Sequence, residues 1–163
     1  TKFTTDKNEL VKQMEQALYF SIITVYAQGM ALLQVASKKY KYDLNLDNIA
    51  AIWRGGCIIR ASLLEDIRSA FSQQPDLSNL LLSDAFSKKL MQSQKGIRKV
   101  IQTGVESGVP VPAMMGALAW FDSYRSGWLP ANLIQAQRDD FGAHTYERND
   151  REGIFHTHWN KKK

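Results

Sequence analysis

Arg138 and His144 are the residues whose types and spacing best suit chemistry in this chain. They stand six apart in Gln135-Ala-Gln-Arg138-Asp139-Asp140-Phe141-Gly142-Ala143-His144-Thr145-Tyr146-Glu147. A guanidinium offers a planar fork of donors, and an imidazole adds one or two more, so the pair suits a phosphate. Gly142 between them allows the backbone to turn and the side chains to converge. The competing expectation is structural: Arg138 pairs with Asp139, Asp140 or a neighbouring helix, and His144 is a satisfied histidine. Spacing alone favours that structural reading. All three histidines of the chain, His144, His156 and His158, lie in its last 20 residues.

Other candidate sites are weaker. His156-Thr157-His158 lacks further ligands at zinc spacing and reads as a free tail rather than a metal site. Cys57 stands alone in the apolar run Cys57-Ile58-Ile59, which excludes an internal disulfide and favours a small buried core residue over a nucleophile. Trp53-Arg54-Gly55-Gly56 permits close backbone approach, with helix packing the default. Asp122 to Arg125 reads as an exposed helix end with an ion pair. Gly104 and Gly108 resemble a small-residue packing pair, although a helix cap explains Gly108. No nucleophile–base–acid set, glycine-rich dinucleotide loop or P-loop is present.

The elements that must position these residues are helical. Residues 5–38 carry Leu10, Val11, Met14, Leu18, Ile22, Val25, Gly29, Leu32, Leu33 and Ala36 at helical spacing, with Thr4, Thr5 or Asp6 as caps. Short helices are expected over 48–54 and from Pro75 to Leu82, and longer ones over 57–73 and 84–106. Pro112 opens another, to about Tyr124, and Pro130 a last one carrying Arg138. No period-2 run of useful length appears, so the class is all-α. The organisation expected is a helical domain over 1–141 and an irregular tail over 142–163.

At 163 residues, 44% hydrophobic and 23% charged, the chain can bury a core. A net charge of +5 favours anionic partners without naming one. Basic residues are interspersed with acids, and Lys161–Lys163 reads as a solvated end, so no nucleic-acid partner is expected. Residues 16–37 carry no charge over about the length of a bilayer span, but the polar groups of Gln16, Ser21, Thr24, Gln28 and Gln34 interrupt them. A helix buried in a core or a subunit interface is the better expectation, and no membrane partner is expected. A start at Thr1 rather than Met suggests a processed product or an excised piece.

Taken together, several runs resemble the C-terminal part of 6-phosphogluconate dehydrogenase. They are Leu18-Tyr19-Phe20-Ser21 through Tyr26-Ala27-Gln28-Gly29, Ile52-Trp53-Arg54-Gly55-Gly56-Cys57-Ile58-Ile59-Arg60, Phe121-Asp122-Ser123-Tyr124-Arg125, and Leu129-Pro130-Ala131-Asn132-Leu133-Ile134 through Glu147. The resemblance covers residue 9 to Trp159. It implies the second half of an all-helical domain plus a tail, in a cytoplasmic homodimer that oxidises and decarboxylates 6-phosphogluconate to ribulose 5-phosphate with NADP, in the pentose phosphate pathway. Each tail would reach the partner subunit, and the family's substrate-phosphate arginine and histidine fall on Arg138 and His144. The family's dinucleotide loop and its catalytic lysine and glutamate are not in this sequence. No catalytic residue, no bound cofactor and no activity are therefore expected of this chain alone. The other class of reading is a stand-alone helical dimerisation or scaffold module.

Overall fold

The computed structural model describes residues 6–159. Thr4, Thr5 and the Lys161–Lys163 run lie outside them. Among the described residues six helices carry the fold: α1 (Lys7–Tyr40), α2 (Leu46–Arg54), α3 (Leu63–Gln73), α4 (Asp84–Ser107), α5 (Pro112–Tyr124) and α6 (Ala131–Gly142). Two short strands follow, β1 (Tyr146–Glu147) and β2 (Ile154–Phe155). The class is all-α, as the sequence predicts. Two compact units divide between Ala119 and Trp120, within α5.

The first unit is built on α1 and α4, which pack along each other, with α2 on α3 beside them. Asp6 caps α1 by accepting the Glu9 N–H at 3.0 Å, and Asn45 caps α2 in the same manner. Phe20, Ile23, Ala27 and Met30 of α1 and Phe86, Leu90 and Ile97 of α4 are buried. Each such large side chain contributes about 1.5–3 kcal/mol by leaving water. Gly96 allows the close approach of α4 to α1, since a β-carbon there would stand 2.5 Å from Gln16 Cβ. Gly108 ends α4 in the left-handed conformation at φ 70°, the cap the sequence predicts. Gly104 lies close under Val109 and Val111.

Three expectations are corrected here. The stripe Val11, Met14, Leu18, Ile22, Val25 and Leu32 that marks α1 as a helix lies on its exposed side, with Leu32 69% accessible. The side that packs carries Ala17, Phe20, Ile23, Thr24, Ala27 and Met30. From residue 17 onward α1 is apolar nearly all round, so periodicity could not choose the packing face. By length and composition α1 is long and apolar enough to cross a membrane, yet part of its surface belongs to this core.

The helix expected over 57–73 starts only at Leu63, and Cys57, Ile58 and Ile59 are exposed rather than core. The Tyr26 hydroxyl takes the Ile59 carbonyl as its acceptor, in a loop opened by Gly55-Gly56. The segment after Pro75 forms only a 3-10 turn at Leu80–Leu82, because the buried Asn79 side chain accepts the Leu81 N–H at 3.0 Å and caps it there.

Candidate functional site

The second unit holds the C-terminal part of α5, then α6 and the tail. Arg125 pairs with Asp122 at 3.2 Å, the ion pair expected of that helix end. Pro130, with φ −54°, precedes the first turn of α6, where its missing N–H costs nothing. The helix stops because Ala143 turns left-handed at φ 47° and returns its N–H to the Asp139 carbonyl. Thr145 is left-handed as well, at φ 63°, an unusual state for a β-branched residue. Each such residue costs on the order of 1–3 kcal/mol and persists only where surroundings enforce it.

Those surroundings centre on Asp139, which is fully buried. Its Oδ1 accepts the Thr145 N–H at 3.0 Å and lies 2.8 Å from His156 Nδ1. Its Oδ2 accepts the Thr157 N–H at 2.9 Å and Trp159 Nε1–H at 3.0 Å. Burial pushes the carboxyl up, but the Thr157, His156 and Trp159 donors more than offset it, and the group sits at about 2. The tail is thus not free, contrary to the expectation for His156-Thr157-His158. His156 is bound to α6, and its ring meets that of His158 edge-on at 5.0 Å. No cluster of metal-ligating side chains occurs among the described residues.

The tail also carries the small antiparallel ladder, with Tyr146 opposite Phe155 and Glu147 opposite Ile154. The Tyr146 hydroxyl and Thr157 Oγ1 are 2.7 Å apart, and the Arg151 guanidinium lies 4.5 Å over the Phe155 ring. Two-residue strands give too little alternation to be read from sequence.

Both sequence-predicted site residues are exposed. Arg138 pairs with neither Asp139 nor Asp140 in the arrangement seen. Its Nη1 donates to Gln135 Oε1 at 3.0 Å. Gln135 Nε2 in turn donates to the Thr145 carbonyl. The His144 ring folds back over Gly142, where a β-carbon would stand 2.8 Å from Cδ2 and Nε2, and its edge meets the Phe141 ring at 5.8 Å. Gly142 is helical, so its role is to leave room rather than to turn the chain; Ala143 and Thr145 make the turn. Residues four apart share a helix face, so the His144 ring lies on the face of Arg138, about one turn along. His144, Gln135 and Thr145 also line an open groove of about 1340 Å³ between α6 and the tail, with Trp128 and Trp159 among its walls.

Arg138 and His144 thus leave a guanidinium and an imidazole on the exposed surface of this unit. Among the described residues the only strand pairing is the tail ladder, and no strand–glycine loop–helix unit accompanies it. The sequence reading missed Asp139 as an anchor, because its donors lie 6 to 20 residues downstream in the tail.

Comparison with known proteins gives one answer. A family model described as 6-phosphogluconate dehydrogenase, C-terminal domain, matches residues 1–159. The NADP(+)-dependent, decarboxylating 6-phosphogluconate dehydrogenase of Bacillus subtilis (strain 168) is 54% identical over 159 residues, 97% of this chain and 34% of that protein. The decarboxylating 6-phosphogluconate dehydrogenase of Salmonella typhimurium is 51% identical over 154 residues, 94% of this chain and 33% of that protein. Among solved structures, Plasmodium falciparum 6-phosphogluconate dehydrogenase, described in its apo form and in complex with its cofactor NADP+ and its substrate 6-phosphogluconate, superposes with a TM-score of 0.91. It is 42% identical, with 98% of this chain and 34% of that chain covered. The chain thus spans about a third of the length of these relatives. It belongs to the 6-phosphogluconate dehydrogenase family and corresponds to that family's C-terminal domain.

Proposed function

We propose that this chain works as the C-terminal part of an NADP-dependent, cytoplasmic 6-phosphogluconate dehydrogenase. In the complete enzyme it supplies a homodimer interface and a grip on the substrate phosphate, made by Arg138 and His144 and offered to the partner subunit's active site. The observation that carries this reading is the His144 ring seated over Gly142, on the helix face of Arg138. Both side chains are exposed, as groups that meet a ligand from another subunit must be before they engage it. The exposed apolar stripe of α1 supports a partner surface, because contiguous apolar patches on a helix mark protein contacts.

Hydride and proton transfer need groups other than these, so the chain alone is inactive. Incubating it with 6-phosphogluconate and NADP+ gives no NADPH; substantial turnover overturns this. In the complete enzyme, Arg138→Ala removes a charge-assisted hydrogen bond of about 1.5–3 kcal/mol and lowers kcat/KM about ten- to a hundredfold. Unchanged kinetics would take Arg138 out of the site.

A further inference from the structure

Asp139 is the only charged side chain fully buried among the described residues, with none of its surface open to solvent. Its four partners all donate, and they come from separate stretches of tail: Thr145, the His156-Thr157 pair and Trp159. Through Oδ1 it holds the N–H of Thr145, one of the two left-handed residues that flank His144. Gln135, one turn earlier on α6, holds the carbonyl of the same Thr145 and accepts from Arg138. Thr145 is therefore gripped on both sides of its backbone, and one of the gripping residues also orients the arginine.

We propose that Asp139 is a positioning residue for the phosphate grip. It fixes the turn Ala143–Thr145 so that the His144 imidazole is presented on the helix face of Arg138. It never meets the phosphate itself. The proposal rests on the phosphate reading of Arg138 and His144 given above.

A carboxylate is required because both oxygens accept. In Asp139→Asn the amide nitrogen must face either the Thr145 and His156 donors or the Thr157 and Trp159 donors, and one side of the anchor opens. The test is steady-state kinetics of the complete enzyme with 6-phosphogluconate and NADP+. Asp139→Asn raises KM for 6-phosphogluconate about tenfold, while kcat and KM for NADP+ stay within about twofold. Gln135→Ala, which frees the Thr145 carbonyl and leaves the buried carboxylate intact, raises the same KM by a smaller factor. Because Gln135 also accepts from Arg138, the deciding variant if Asp139→Asn does not fold is Trp159→Phe, which removes one donor to the carboxylate, leaves Gln135 and Arg138 in place and raises the same KM several-fold.

A merely structural role moves kcat and both KM values together, and that result overturns the proposal, as does an unchanged KM for 6-phosphogluconate. Arg138→Ala run in parallel separates the two layers. If it leaves that KM unchanged, the phosphate reading falls. If it raises the KM while Asp139→Asn or, failing that, Trp159→Phe does not, only the positioning role falls.

Discussion

The His144 ring occupies the space that a side chain at Gly142 would fill, with Cδ2 and Nε2 each 2.8 Å from the β-carbon position. Gly142 has helical geometry as the last residue of α6, so alanine there meets no backbone strain. Gly142→Ala favours the helix by up to about 1 kcal/mol but expels the ring. In the complete enzyme the expected outcome is an unchanged or raised Tm together with a several-fold higher KM for 6-phosphogluconate. A KM equal to that of the parent shows that the ring's seat has no part in substrate binding.

The Asp139 anchor has a pH dependence of known sign. Its carboxyl sits at about 2 against an ordinary value of 3.8, so the folded state favours the charged form. The stabilisation is complete above 3.8 and is lost as pH falls from there through about 2. The amides of Thr145 and Thr157, which donate to it, should be protected from hydrogen exchange at pH 5 and progressively lose protection toward pH 2. Protection factors that stay constant over that range would contradict the anchor.

Gly96→Ala sets two effects against each other. Alanine gains about 1 kcal/mol of helix propensity inside α4. Its β-carbon would lie 2.5 Å from Gln16 Cβ and 3.1 Å from the Gln13 carbonyl, both close to the backbone of α1, so the helices must separate. Overpacking of this kind costs about 1–3 kcal/mol, and the net effect is destabilising. Urea unfolding should show a lower midpoint; a higher one means that α1 and α4 do not cross at this glycine.

The exposed face of α1 gives a test of assembly. Leu18 and Val25 lie seven residues apart on that face, with more than half of each accessible. Leu18→Glu with Val25→Glu places two charges where the dimer reading puts a partner and leaves the α1–α4 core untouched. Light scattering of the complete enzyme is expected to show monomers with retained helical circular dichroism. Dimers that persist unchanged would move the interface elsewhere.

Much of this fold is legible before any coordinates. Proline and glycine set the ends of α4, α5 and α6, because Pro112 and Pro130 suit helix starts and Gly108 suits a left-handed cap. The resemblance to the family is carried by several runs together, and the family model matches residues 1–159. Local rules fail where two distant segments compete for one group. The Tyr26 hydroxyl takes the Ile59 carbonyl from 33 residues away, and a helix expected from Cys57 gives way to a loop.

By itself the sequence determined the all-α class and most helix ends, and it singled out Arg138 and His144 as candidates. These depend on side-chain type and on neighbours within a few residues. Only the tertiary structure decided which side of α1 packs, since a helix apolar on all sides carries no periodic signal for its buried face. Only it showed that Gly142 makes room rather than a turn, and that a buried carboxylate holds the tail in place. Both follow from contacts through space: Asp139 gathers donors up to 20 residues downstream, at distances that no local pattern encodes.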